Sequence, residues 1–243
     1  MRISSMEPYF TKTPKIIQNV FSDYTWKMPA KKDPACRQDR NIYLTFDDGP
    51  IPEITNWVLQ TLDKFHAKAT FFCVGDNIKK YPKVFQNILN KKHSVGNHTF
   101  NHLNGWRTNT NKYLENVKQT GEIIDITSTK VLPSRKDLGW DNHSKLFRPP
   151  YGKIRSSQKR ALLRKGYKII MWDVLSGDFD QNLSKENCLK DVMDNVQNGS
   201  IIVFHDSIKA FDKLKYVLPR TLEHFTQKGY TFKKIDSIPP HLP

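Results

Sequence analysis

The sequence predicts a single-domain α/β protein, a distorted (β/α) barrel with about seven parallel strands, with an open doubly wound sheet as the alternative. Three observations lead there. Short apolar runs alternate with apolar stripes at helical spacing, and strands joined through crossover helices run parallel. Six or seven such units fit a chain of 243 residues, a usual length for one barrel. Hydrophobic residues make up 37% and charged residues 26%, as in a globular protein with a sizeable core.

Each element has its own signal. Residues 1–40 read as an irregular or extended leader punctuated by Pro14, Pro29 and Pro34, and 41–238 as the single folded domain. A first strand over 42–46 stops at the turn residues Asp48-Gly49-Pro50. Val58, Leu62 and Phe65 give a helix over 54–66, 69–74 is a second strand, and Val84, Phe85, Ile88 and Leu89 give a helix over 82–92. A weaker third strand covers 94–97, and Leu114, Val117 and Ile124 stripe a helix over 111–124. The polar stretch 127–145 lacks periodicity and reads as a loop. A fourth strand over 146–148 and a basic helix over 156–165 follow, then a fifth strand over 167–174. Ser184 is placed to cap a helix that carries Leu189, Val192, Met193 and Val196 and ends by Gly199. A sixth strand over 200–204, a helix over 213–228 and a seventh strand over 230–235 complete the pattern, with no internal repeat.

Composition excludes several classes. No run approaches the roughly 18 apolar residues of a membrane span. The first 26 residues are polar and aromatic, so no signal peptide is legible; the default expectation is cytoplasmic, or export if the start of the chain is missing. The net charge of +15 is spread along the chain, which favours an anionic polymer or surface in general, but no basic–aromatic motif or finger spacing specifies nucleic acid. Cys36, Cys73 and Cys188 are an odd, widely spaced set, against both a disulfide framework and a cysteine metal site.

The chemistry lies at the strand ends. Asp47 and Asp48 follow strand one, His98 strand three and Arg148 strand four; Asp173 and Asp178 lie at or beyond strand five, and His205-Asp206 closes strand six. In a parallel barrel these ends share the face where active sites are built. Taken singly, Asp47-Asp48-Gly49-Pro50 is an ordinary turn and His98 and His102 ordinary surface histidines. As a set, two histidines four apart with one aspartate make a zinc-type ligand group, a second aspartate is free as a base beside Arg148, and a further histidine can protonate a leaving amine. That inventory fits metal-assisted hydrolysis of an amide or ester.

In order, the segments Thr45-Phe46-Asp47-Asp48-Gly49-Pro50, His98-Thr99-Phe100-Asn101-His102, Arg148-Pro149-Pro150-Tyr151, Asp178-Phe179 (after Trp172-Asp173) and Val203-Phe204-His205 resemble the five motifs of the polysaccharide deacetylases of carbohydrate esterase family four. The match spans 42–206. The resemblance implies a metal-dependent carbohydrate deacetylase that acts on a carbon–nitrogen amide bond, or an O-acetyl ester, of a polysaccharide or oligosaccharide containing N-acetylglucosamine, chitin-like or peptidoglycan. It implies one divalent ion, usually zinc, on Asp48, His98 and His102. Asp47 is then the general base, oriented by Arg148; the Tyr151 backbone N–H stabilises the oxyanion; His205 is the general acid, oriented by Asp178. The fourth motif departs from the family's Asp-Trp, because Phe179 keeps an apolar face for His205 but lacks the indole N–H. Three rivals follow from the same residues: an amidase for a small non-sugar substrate, a silent binding protein, and a nucleic-acid binder suggested by charge alone. The full set of metal and acid–base residues counts against the second.

Overall fold

The chain enters the fold through its leader. In the computed structural model, which describes residues 2–3, 8–29, 40–131 and 145–236, strands β1 (Arg2–Ile3) and β2 (Pro8–Tyr9) pair antiparallel and helix α1 (Lys15–Val20) follows. The stretch read as irregular thus carries a helix. Cys36 lies outside the described residues.

Alternation then proceeds as the periodicity predicts, through β3 (Asn41–Asp47), α2 (Pro52–Lys64), β4 (Ala69–Cys73), α3 (Gly75–Lys80), α4 (Pro82–Asn90), β5 (Ser94–Asn97) and α5 (Thr110–Ser128). It continues with β6 (Lys145–Phe147), α6 (Ser156–Arg164), β7 (Tyr167–Ile169), β8 (Val174–Leu175), α7 (Lys185–Asn195), β9 (Ile201–His205), α8 (Phe211–Gln227) and β10 (Thr231–Phe232). Pro52 opens α2, where its missing N–H costs nothing. The Ser184 hydroxyl accepts from the Asn187 N–H at 3.2 Å, so the cap of α7 is where it was expected. That helix ends at Asn195, earlier than Gly199, which instead makes a turn at φ 83° before β9. Helix α3 has no counterpart in the sequence reading, and α5 takes the first two residues of the expected loop 127–145; 132–144 lie outside the described residues.

Seven parallel strands in the order β7-β6-β5-β4-β3-β9-β8 form one sheet, curled into a half-barrel, and β10 pairs beside the start of β3. On the outer face Ile42, Leu44 and Phe46 of β3 pack with Val58 and Leu62 of α2 and Leu214 and Leu222 of α8, all buried. Each contributes about 1.5–3 kcal/mol by leaving water. On the inner face the alternate residues Thr45 and Asp47 are also buried.

The predicted strand 167–174 is in fact two. β7 and β8 lie on opposite edges of the sheet, and residues 170–173 carry the chain across the gap between them. The leader seals both edges: the Thr25 N–H donates to Ile169 O and Met171 N–H to Thr25 O, while Leu175 N–H donates to Thr11 O and Thr13 N–H to Asp173 O, all at 2.8–3.0 Å. Exposed edges would otherwise offer unpaired backbone groups to other chains. No helix among the described residues is long and apolar enough to cross a membrane.

Candidate active site

Strand register places the site residues level with one another. Asp47 stands opposite His205 on one neighbouring strand and Phe72 on the other, Cys73 pairs with Asn97, and Asn97 with Phe147. The residues at or just after these positions are Asp47, Asp48, His98, Arg148 and His205. The carboxyl ends of β3, β5, β6 and β9 therefore meet on one face.

Asp48, His98 and His102 each present a ligand atom there, all within 4.8 Å of one another. Asp48 Oδ1 lies 3.8 Å from His98 Nε2 and 3.2 Å from His102 Nε2. That oxygen is buried and makes no properly directed hydrogen bond, an expensive state for a carboxylate unless a cation satisfies it. His98 is set for the same purpose. Its Nδ1 lies 2.8 Å from Arg148 O; a carbonyl only accepts, so Nδ1 carries the proton and Nε2 turns a lone pair toward Asp48. Burial, together with the neighbouring His102, outweighs the carboxylates and lowers the His98 pKa to about 4, so the ring is neutral as a ligand must be. Burial alone would raise Asp48, but the His102, His205 and His98 rings hold it well below the usual carboxylate range. This donor set fits a single divalent ion. The segment that brings His102 back to His98 is a tight turn rather than a helix. Thr99 and His102 have φ of 62° and 51°, and Asp48 (81°) and Tyr151 (60°) are also left-handed. Four of the six such non-glycine residues among those described cluster here, as strained backbone commonly does at functional sites.

Arg148 is fully buried and spends its guanidinium in two directions. Nη1 donates to Asp47 Oδ1 at 2.8 Å and to Thr45 Oγ1 at 2.7 Å. Nε and Nη2 donate to Ile170 O and Met171 O, the carbonyls of the segment that crosses the barrel gap. Burial lowers its pKa, partly offset by Asp47. Asp47 Oδ2 lies 3.9 Å from His98 Nε2, on the metal-cluster side.

At the end of β9, Asp178 is fully buried and accepts both the His205 backbone N–H (2.8 Å) and its ring Nδ1–H (2.7 Å). Burial disfavours the charged ring, but the Asp178, Asp48 and Asp47 carboxylates prevail and raise the His205 pKa to about 9. Phe179 stands edge-on to that ring at 5.1 Å between centroids and itself packs on Tyr9 of the leader. The apolar face expected of Phe179 is present. Tyr151 is 59% exposed, and its hydroxyl lies 3.1 Å from His102 Nδ1. Its backbone N–H sits in the first turn of a short 3₁₀ helix, where donors lack intrahelical acceptors.

One expected member is elsewhere. Asp173 bonds to Lys12 and Ser200 at the start of β9, the opposite end from His205, and anchors the leader. It misses the site because strand five breaks and the chain re-enters the sheet from the bottom.

Other residues shape the site: Asp206, placed at a strand end by the sequence but given no role, and three asparagines the sequence reading did not single out. Asp206 accepts the Gly49 N–H (3.0 Å) and the Thr55 hydroxyl (2.5 Å), which ties the turn after β3 to β9. A Cβ on Gly49 would fall 2.0 Å from Asp206 Oδ2, so only glycine fits this clamp. Asn77 holds Asp48 O, Asn97 holds the Thr99 N–H, and Asn116 accepts from the Phe100 and Asn101 N–H groups. These asparagines sit on separate elements, and only three-dimensional contact identifies them. The position of Asp206 beside His205 was the one available signal.

Residues 35–170 match the polysaccharide deacetylase family model. The chain is 32% identical over 181 residues to a peptidoglycan-N-acetylglucosamine deacetylase of Bacillus cereus, covering 71% of this chain and 61% of that protein's length. It is 32% identical over 169 residues to the chitooligosaccharide deacetylase of Azorhizobium caulinodans, covering 68% of this chain and 73% of that one. A solved peptidoglycan N-acetylglucosamine deacetylase in complex with 4-naphthalen-1-yl-N-oxidanyl-benzamide superposes with a TM-score of 0.71 at 28% identity, over 93% of this chain and 96% of that one.

Proposed function

The chain belongs to the polysaccharide deacetylase family, and from that premise we propose that it removes N-acetyl groups from a glycan containing N-acetylglucosamine, with one zinc ion on Asp48, His98 and His102. The observation that carries this reading is the ligand cluster accompanied by an arginine-held aspartate and an aspartate-held histidine. Residues 41–238 are the catalytic domain in this account, and 1–40 an extension whose residues Thr11, Thr13 and Thr25 pair with the sheet edges.

A divalent ion so held supplies Lewis-acid activation of water and of the acetyl carbonyl. The chain's own groups do the rest. Asp47, aimed by Arg148, accepts the proton of the attacking water. The Tyr151 N–H donates to the oxygen that gains negative charge. His205, charged below about pH 9, gives its proton to the leaving nitrogen, which departs as an amine while acetate is released. An ester leaving group would need that proton less, so so elaborate a hold on His205 favours amide over O-acetyl substrates.

The test lies in leaving groups. His205→Ala should slow acetate release from N-acetylglucosamine oligomers by about 10²–10⁴-fold but slow hydrolysis of an activated aryl acetate far less. Equal losses on both would make His205 a positioning residue. Asp178→Asn removes the carboxylate that raises the His205 pKa. Because His205 must be protonated, activity is lost as pH rises through its pKa, so the alkaline limb of the rate profile should move to lower pH.

A further inference from the structure

The leader does more than pair with the sheet edges. At one point it reaches the acid half of the site through two successive ring contacts. An antiparallel bridge sets Lys12 opposite Val174, and the Leu175 N–H donates to Thr11 O at 2.9 Å. Continued along both chains, that register brings Tyr9 opposite Gly177, at the head of the loop that carries Asp178 and Phe179. Tyr9 fits there because position 177 is glycine. A Cβ would come within 3.0 Å of the tyrosine hydroxyl and 2.8 Å of Leu183 Cδ2, and the φ of 76° is itself left-handed.

The Tyr9 side chain is fixed at its tip and along its ring. Its hydroxyl donates to Asp180 Oδ2 at 2.9 Å, and the buried Asp180 accepts the Asn182 N–H with its other oxygen at 3.0 Å. The Tyr9 ring meets that of Phe179 at 5.3 Å between centroids, tilted by 56°. Phe179 in turn meets the His205 imidazole edge-on at 5.1 Å. Phe179 is only partly buried, so Tyr9 is a substantial part of what holds it. The Asp178 hydrogen bond fixes one edge of the His205 ring at Nδ1. It leaves the ring to tilt about that bond, because the outer torsion of a histidine has broad preferences. A general acid must aim its other nitrogen at the leaving group, and a ring packed beside it removes that freedom.

We propose that Tyr9 is a positioning residue of the acid half of the site: anchored on Asp180, its ring holds Phe179 against His205, and the leader is thereby part of the catalytic machinery. The proposal rests on the deacetylase reading, in which His205 protonates the leaving nitrogen.

The test on the metal-loaded full chain is leaving-group selectivity, the ratio of kcat on N-acetylglucosamine oligomers to kcat on an activated aryl acetate. Tyr9→Ala should lower the amide rate about tenfold and the aryl acetate rate by no more than about twofold, because only the amide needs an aimed proton. KM and metal content should not move. Tyr9→Phe keeps the ring and should hold the ratio near that of the parent. Tyr9→Leu, the milder change should the alanine variant fail to fold, should move the ratio in the same direction as alanine. Ile88→Val, a small loss from the buried core at α4, should lower the melting temperature and leave the ratio where it is. With Phe179→Ala already in place, Tyr9→Ala should add nothing to the change in ratio, since it acts through Phe179. Equal falls on both substrates, an unmoved ratio, a Tyr9→Phe as impaired as Tyr9→Ala, or full additivity with Phe179→Ala overturns the proposal, while acetate release by the parent leaves the deacetylase reading standing. If the parent releases no acetate, that reading fails, and proton NMR decides the positioning alone. Tyr9→Ala should shift and broaden the His205 ring signals, identified by their loss in His205→Ala, and Ile88→Val should not. Unchanged His205 signals in Tyr9→Ala refute it.

Discussion

Asp47→Asn is expected to lower kcat for acetate release by about 10²–10⁴-fold while the protein still binds one metal ion per chain. The substitution keeps the size of the side chain and an oxygen able to accept from Arg148 Nη1, now 2.8 Å away. It removes the capacity to take a proton. The ligand atoms of Asp48, His98 and His102 are untouched, so elemental analysis should find the ion in place. The change also deprives a fully buried guanidinium of its counter-charge. Uncompensated, that costs about 3–5 kcal/mol. Thr45, Ile170 and Met171 continue to accept from Arg148, so the loss in a denaturant titration should fall below that figure. Loss of the metal together with activity would instead mean that both aspartates serve the ion.

His102→Ala is expected to remove the metal and lower activity more than about 100-fold, the upper end of what mere outer-shell changes cost. Stability should barely change, because the His102 side chain is 29% exposed and its ring packs only on the half-open site, against Tyr151 and His98. His98→Ala should remove the metal as well but with a fall in melting temperature. That ring is 2% exposed and holds Arg148 O, so its removal opens a cavity and orphans a buried carbonyl. Metal content and thermal melts on the same samples separate the two.

Much of this site is legible in the sequence because parallel strands end on one face. Asp47, Asp48, His98, Arg148 and His205 each close or follow a strand, that of His98 being the least apolar, and the strand register sets them level. Asp173 shows the limit of that logic. Tyr167 to Val174 reads as one strand, but the half-barrel needs a segment to cross from one edge to the other, and the unbroken apolarity of Ile169, Ile170 and Met171 hides the break. Arg148 takes up the crossing segment's carbonyls, a second duty that no motif spacing reveals. The leader is illegible for a related reason. Its work is done by backbone groups of Thr11, Thr13 and Thr25 on the sheet edges, and backbone pairing leaves little trace in side-chain pattern. Asn97, Asn116 and Asp206 act through side-chain hydrogen bonds to Val117, to Phe100 and Asn101, and to Gly49 and Thr55, links between elements that periodicity does not encode.

The central claim is that the Asp48, His98 and His102 cluster holds one divalent ion that deacetylation requires. The most direct measurement strips the protein with a chelator, restores zinc in steps, and follows metal content and acetate release from N-acetylglucosamine oligomers in the same samples. Release should be absent from the stripped protein, rise in proportion to occupancy, and level off at one ion per chain. Undiminished release from metal-free protein, or full occupancy with no release, would contradict the account.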